Sequence, residues 1–147
     1  PMDSDIDFYT LSGYALKNPP ALSASMEDYL EMIARLCAAE GFARVGALAE
    51  RLNVKPSSAS KMVGRLRGAG LVAFERYGVV TLTPKGEEEG RYLLQRHQLL
   101  ARFFCLLNRS PHQLEQVERV EHFLSRETVA NLKSLVERME GEWGYTG

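Results

Sequence analysis

The stretch ARVGALAERLNVKPSSASKMVGRLRGAGLVAFERYGVVTLT, Ala43 to Thr83, divides into four pieces. Val45, Leu48, Ala49 and Leu52 stand at i, i+3, i+4 and i+7, the apolar stripe of a short amphipathic helix. Asn53-Val54 reads as a turn carrying one buried apolar residue. Lys55-Pro56-Ser57-Ser58 opens a second helix, because a first-turn proline gives up only an amide that has no intrahelical partner there. Ala59, Met62, Val63 and Leu66 form its inner face, and Gly68-Ala69-Gly70 is its stop. Leu71 to Phe74 and Val79 to Leu82 are short apolar, β-branched runs bent back at Tyr77-Gly78, a hairpin. Helix, tight turn, helix, hairpin is the plan of a winged helix-turn-helix. The chain is expected to read DNA.

The chemistry of the second helix agrees with that plan. A helix entering the major groove needs short polar side chains near its N-terminus and cations aimed at phosphates. Ser57, Ser58, Ser60 and Lys61 supply them opposite Met62 and Val63, Arg65 and Arg67 follow, and Arg76 lies in the hairpin. With Arg44 and Lys55 at the two helix entries, the expected DNA-binding set is Arg44, Lys55, Ser57, Ser58, Ser60, Lys61, Arg65 and Arg76. The plainer reading is a solvated helical hairpin whose serines are caps. Local charge weighs against it. From Ala43 to Arg76, seven cations (Arg44, Arg51, Lys55, Lys61, Arg65, Arg67, Arg76) face only Glu50 and Glu75, a local +5. Residues 1–42 carry seven acids against Lys17 and Arg35, a local −5, and the whole chain has 18 Lys+Arg against 19 Asp+Glu. A basic block in an acidic protein is the footprint of a DNA face, with affinity that falls as salt rises.

At 147 residues, 45% hydrophobic and 25% charged, the chain suits a soluble protein of one or two small domains. No run has the length of a membrane span, and the N-terminus lacks a basic start followed by an apolar core, so a cytoplasmic protein with no membrane partner is expected. Cys37 and Cys105 sit among apolar neighbours without CxxC spacing and read as buried free thiols. Pro1 reads as a cloning remnant before a natural start at Met2.

The remaining segments fall around the winged module. Met2 to Ala21, with Phe8, Tyr9, Tyr14 and the breaker Asn18-Pro19-Pro20, is an N-terminal arm, either packed or unstructured. Ser23 or Ser25 caps a helix to about Glu40, with Met26, Leu30, Ile33 and Leu36/Cys37 as its stripe and Gly41 as its stop. Thr83-Pro84 opens a long helix to about Asn108. Ser110-Pro111 begins another, with Leu114, Val117, Val120 and Leu124 inside. A last helix runs from about Arg126 to Met139 on Val129, Leu132, Leu135 and Val136. The expected fold is mainly α: an arm over 1–21, a winged helix-turn-helix domain over 22–83, and a helical metal-binding and dimerisation domain over 84–147. Surplus apolar helix in a DNA reader points to a homodimer, which suits a palindromic double-stranded operator.

A second pattern concerns metal chemistry. Asp28 and Glu31 stand at i, i+3, and Glu118, Glu121 and His122 at i, i+3, i+4, so each set shares one helix face. His97 projects from the long helix beside Arg96. Four carboxylates converging on one place need cations between them. The set has oxygen and imidazole donors and no thiolate, which suits Mn²⁺ or Fe²⁺ better than structural zinc. Taken singly, each of these residues is ordinary helix surface, and spacing leaves the two readings open.

Several separated motifs resemble the diphtheria-toxin-repressor family: Ser25-Met26-Glu27-Asp28-Tyr29-Leu30-Glu31, Gly41-Phe42-Ala43-Arg44-Val45, Lys55 through Val63, Arg96-His97-Gln98-Leu99-Leu100, and Val117 through His122. They cover about residues 22–130 in order and are closest to its manganese-sensing, MntR-like branch. The resemblance implies that Asp28, Glu31, His97, Glu118, Glu121 and His122 bind a pair of Mn²⁺ ions per subunit, with Glu118 shared and Fe²⁺ or other divalent ions as alternatives. An iron-sensing relative would carry methionine at Asp28 and cysteine at Glu118, and a C-terminal SH3-like domain that this sequence lacks. Two departures stand out: Phe123 where the family often has a second histidine, and the long arm before Ala21.

The expected function is an Mn²⁺-activated transcriptional repressor of manganese uptake genes. Two other readings compete with it. A di-iron enzyme wants Glu-x-x-His on each of two helices, and the sequence has neither that nor a Gly-x-Ser-x-Gly nucleophile. A metal-independent, MarR-like winged-helix regulator would answer to a small organic ligand instead.

Overall fold

The computed structural model describes residues 10–17 and 21–143. The sequence expectations for Phe8, Tyr9 and Asn18-Pro19-Pro20 lie outside them. Within the arm, Leu11–Lys17 forms a short helix, α1, whose Leu11 and Leu16 are exposed.

The DNA-reading half is built on α2, Ala24–Glu40. Ser23 caps it by accepting from the Met26 amide at 3.1 Å, and Gly41, at φ 86°, ends it with a left-handed residue that a side chain would strain. The chain then runs through β1 (Ala43–Arg44), α3 (Val45–Leu52), α4 (Pro56–Gly68), β2 (Val72–Phe74) and β3 (Val79–Leu82). The two helices and the hairpin fall where the hydrophobic pattern places them. β1 was not anticipated: two residues are too few to show a period. It closes the three-stranded antiparallel sheet in the order β1-β3-β2, with Ala43 opposite Val80 and Phe74 opposite Val80 on the other side.

This half has a continuous core. Leu30 and Ile33 of α2, Leu48 of α3, Ala59, Val63 and Leu66 of α4, Leu71, Val80 and Leu93 are all essentially removed from water. Met62, expected inside, is half-buried at its edge.

The long helix α5 (Pro84–Asn108) is fastened to that core at its start. Thr83 caps it, accepting from the Gly86 amide at 3.1 Å while its hydroxyl donates to the Gly70 carbonyl at 2.7 Å. Lys85 Nζ donates to the Ala69 carbonyl at 3.0 Å. A Cβ on Gly86 would stand 1.8 Å from the Leu71 carbonyl oxygen, so only glycine lets the helix enter so close to the end of α4. One turn later a Cβ on Gly90 would meet the Ala34 methyl at 3.0 Å, which sets how closely α5 packs against α2.

Beyond α5 the sequence expectation needs one correction. Ser110-Pro111 does not begin a helix. The chain leaves α5 through Arg109 in the left-handed region, and the Ser110 hydroxyl accepts from the His112 amide at 3.3 Å, closing a turn. α6 is only Leu114–Val120, tightening into a 3₁₀ turn at Glu121–Phe123 before α7 (Arg126–Trp143). Leu114, in the first turn of this short helix, is 62% exposed rather than inside, and Leu135 of α7 is 38% exposed. A smaller core of Leu99, Leu106, Val129 and Val136 joins α5 to α7.

Candidate metal centre and DNA-binding face

Three elements converge near the middle of α5. The first turns of α2 carry Glu27, Asp28 and Glu31, α5 carries Arg96 and His97, and α6 with its 3₁₀ turn carries Glu118, Glu121 and His122. The close α2–α5 packing allowed by Gly90 brings the first two together, and α6 with its 3₁₀ turn packs on α5 beside them.

All six of the residues singled out for metal chemistry fall into two overlapping groups. Glu31, His97, Glu118 and Glu121 form one, and Asp28, Glu121 and His122 the other, with the donor atoms in each within 4.8 Å of one another. Glu121 belongs to both, whereas the resemblance implied Glu118 as the shared residue. His97 Nδ1 lies 3.0 Å from Glu121 Oε2 and 3.5 Å from Glu118 Oε1. His122 Nε2 lies 2.9 Å from Asp28 Oδ1 and 3.8 Å from Glu121 Oε1.

The electrostatics of this cluster are those of too many acids in too little water. Glu121 is 1% exposed and Glu31 8%. Burial, then the Glu121 carboxylate, pushes Glu31 up to about 7, and the same two causes raise Glu118. The imidazoles answer in the opposite sense chemically. The hydrogen bond to Glu121 raises His97, and hydrogen bonds to Asp28 and Glu27 lift His122 to about 10. Protons thus hold the cluster together.

Two carboxylate oxygens are left over. Glu31 Oε1 and Glu121 Oε1 are buried without a hydrogen-bond partner. An unpaired buried carboxylate oxygen is costly, by about 1–3 kcal/mol or more. A divalent ion accepts such oxygens, so the donor chemistry fits an oxygen-seeking metal.

Sequence reasoning missed two members of the cluster. Arg96 is 2% exposed, and its Nη2 donates to Glu27 Oε1 at 3.2 Å. Glu27 Oε1 also lies 2.8 Å from His122 Nδ1. The signal was present: Arg96 stands at helical spacing between Leu93 and Leu99–Leu100, all buried, and an arginine in a core stripe demands a carboxylate.

The basic face is a separate set of side chains, centred on α4. Arg44, Lys55, Ser57, Ser58, Ser60, Lys61, Arg65 and Arg76 are all exposed. Ser57, Ser58, Lys61, Met62 and Arg65 line a groove of about 330 Å³ with Ser25 and Tyr29 of α2, two residues the sequence did not single out. The first turn of α4 holds no acid, so its free amides and cations face outward without internal neutralisation. Arg44 has a second task. Its guanidinium donates to the Tyr77 carbonyl at 3.1 Å and lies 5.3 Å over the Phe42 ring, which ties β1 to the tip of the wing. That tip is a tight turn with Tyr77 at φ 63° and Gly78 at φ 73°, and Tyr77 is 89% exposed.

Comparison with known proteins covers both halves. Residues 21–80 match the iron dependent repressor N-terminal DNA binding domain, and residues 83–141 match the iron dependent repressor metal binding and dimerisation domain. The HTH-type transcriptional regulator MntR of Lysinibacillus sphaericus is 44% identical over 117 residues, 79% of this chain and 84% of that protein. Its namesake from Listeria monocytogenes is 40% identical over 79% of this chain and 82% of that protein. A solved manganese-dependent transcriptional repressor in complex with manganese superposes with a TM-score of 0.61 at 29% identity, over 76% of this chain and 52% of its own.

Proposed function

We infer that Mn²⁺ is the ion that activates this chain, which belongs to the iron-dependent repressor family and is a metal-dependent DNA-binding transcriptional repressor, not an enzyme. DNA and a second copy of the chain are its partners. The observation that carries the choice of ion is the donor set: carboxylates and imidazoles, no thiolate or thioether, with two buried carboxylate oxygens awaiting a partner. Two ions per subunit would correspond to the two groups, and Glu121, which belongs to both, could serve either. Fe²⁺ meets the same donors and is the nearest competitor. An organic-ligand regulator of the MarR type is not favoured, since it leaves the buried acids without a purpose.

The bound ions would supply the positive charge that the six residues lack. Asp28 and Glu31 belong to the helix at the centre of the DNA-reading half. His97, Glu118, Glu121 and His122 belong to the half from Pro84 onward. Holding both sets fixes α2 against α5 and α6, and through the dimer fixes the spacing of the two α4 helices on successive major grooves of a palindromic operator. The genes controlled are those of manganese uptake, and the protein works in the cytoplasm. The proposed division is DNA reading over 22–83, which also lends Asp28 and Glu31 to the metal groups, and metal binding and dimerisation over 84–147.

The test is DNA binding by fluorescence anisotropy on a manganese-transporter promoter, with Mn²⁺, Fe²⁺ or Zn²⁺ titrated into chelator-treated protein at matched ionic strength. Mn²⁺ should strengthen operator binding by about 1–3 kcal/mol, and DNA should strengthen Mn²⁺ binding by the same factor. Equal DNA affinity with and without metal, or metal dependence unchanged in Glu118→Ala, would overturn the reading.

A further inference from the structure

The residues assigned to the ions leave an ion pair, buried Arg96 and part-buried Glu27, without a role. Arg96 reaches from α5 with a side chain 3% exposed, and Glu27 reaches from α2 at 17%. Their meeting point is a single oxygen. Glu27 Oε1 accepts from Arg96 Nη2 at 3.2 Å and from His122 Nδ1 at 2.8 Å, and the two donors stand 3.4 Å apart beside it. His122 itself is 8% exposed, with its other nitrogen, Nε2, turned 2.9 Å from Asp28 Oδ1. Glu27 is in neither donor group.

We propose that Glu27 is the positioning residue of the second donor group, its carboxylate fixing which nitrogen of His122 is free to bind metal, with Arg96 holding that carboxylate in place. The proposal rests on the reading of these groups as Mn²⁺ sites and goes one shell further out. An imidazole ligates through one nitrogen only, and its other N–H needs an acceptor that sets both tautomer and ring orientation. With the Nδ1 proton committed to Glu27, only Nε2 can give its lone pair, and Nε2 already points to the side of Asp28 and Glu121. The guanidinium has a second effect. It shares with His122 the Glu27 oxygen Oε1, so that this oxygen is held toward the imidazole. Because Glu27 is on α2, Arg96 on α5 and His122 on the turn after α6, the same contact also pre-assembles the three elements before metal arrives.

The experiment compares intact wild-type protein with three variants by calorimetric Mn²⁺ titration, resolving the two binding events, with circular dichroism melts as the folding control. Glu27→Leu alone leaves a buried guanidinium unpaired and is at risk of misfolding. The Glu27→Leu/Arg96→Met pair removes both charges with similar volumes, and Glu27→Gln retains an acceptor without charge. The double variant should bind one ion as wild type does and the other about 10–100-fold more weakly, with Glu27→Gln between the two. A folded double variant that takes up both ions like wild type would overturn the proposal, and so would equal weakening of both. Failure of the wild type itself to bind Mn²⁺ would instead sink the reading of the site.

Discussion

The two halves of the chain are stabilised by different means. Residues from α2 to β3 close around an apolar core in which Leu30, Ile33, Leu48, Ala59, Leu66 and Val80 have no measurable contact with water. The half from α5 onward buries fewer apolar side chains, Leu93, Leu99, Leu100, Leu106, Val117, Val129 and Val136, and of these Leu93 packs into the first core while Leu99, Leu106, Val129 and Val136 form a small cluster of their own. It leaves Leu107, Leu114, Phe123 and Leu135 on the surface and buries two charged side chains, Arg96 and Glu121, against the single buried acid of the first half, Glu31 on α2. The first half is stabilised chiefly by removing apolar area from water. The second has placed acids where apolar side chains would be more stabilising, and so depends on counter-charge and on its partner copy. That dependence is what makes a sensor.

The contrast predicts its own largest effect. Leu30→Ala, at the centre of the first core, should cost about 2–5 kcal/mol in chemical denaturation. Phe123→Ala, 59% exposed, should change monomer stability by no more than about 0.5 kcal/mol. Similar costs at the two positions would mean that the second half has a solid interior of its own.

Next in size is the response to metal. Mn²⁺ at about 100 times its dissociation constant should add ~2.7 kcal/mol per independent site. Hydrogen exchange should locate the gain in α6, the Glu121–Phe123 turn and the first turns of α2. Amides of α4, already protected by Val63 and Leu66, should slow least. Uniform slowing across the chain would show one cooperative unit rather than two regions of different character.

How much of this was legible beforehand follows the same division. In the first half, period and punctuation agree: Val45 to Leu52, Pro56 to Gly68 and the hairpin were readable because each residue's local preference matches its buried or exposed place. Only the two-residue β1 carried no pattern. In the second half, Leu114 has the spacing of a core residue and is exposed, because α6 is too short to bury its first turn. The six donors were legible as residue types on helix faces, yet their convergence depends on Gly90 against Ala34 and on the break at Glu121, neither of which has a periodic signature. Glu27 was invisible for a plain reason: one acid among several on an acidic helix says nothing until its arginine is found.

A smaller effect concerns pH and has opposite signs with and without the ion. Glu31, raised to about 7, and His122, raised to about 10, both bind protons more tightly folded than unfolded. Their contribution to the metal-free fold is complete below the unfolded values. It is lost as pH rises, through 4.5 to about 7 for Glu31 and through 6.5 to about 10 for His122. Metal must displace those protons, so Mn²⁺ affinity should rise over pH 6–8 by roughly tenfold per unit for each proton released. The slope should drop by one proton above about 7, where Glu31 is already ionised. Melting temperature against pH, with chelator and with saturating Mn²⁺, checks both signs. Parallel curves would show that the protons and the ion do not share the cluster.

The smallest expected change tests whether the two halves are chemically separate at all. Lys61 is exposed on α4, in a groove that contains none of the six donors. If it neutralises one phosphate, Lys61→Ala should weaken binding about equally across sequences and lower the slope of log affinity against log salt by about 1. Mn²⁺ uptake by the free protein should be unchanged, because no donor moves. The factor by which Mn²⁺ strengthens DNA binding should also survive, since linkage depends on the difference between two conformations and not on any one phosphate contact. A lost salt slope with intact coupling would place DNA affinity in the apolar-cored half and its control in the charged one. A coupling factor that fell with Lys61 would mean that the ion acts on the basic face directly, and the division into reader and sensor would have to be abandoned.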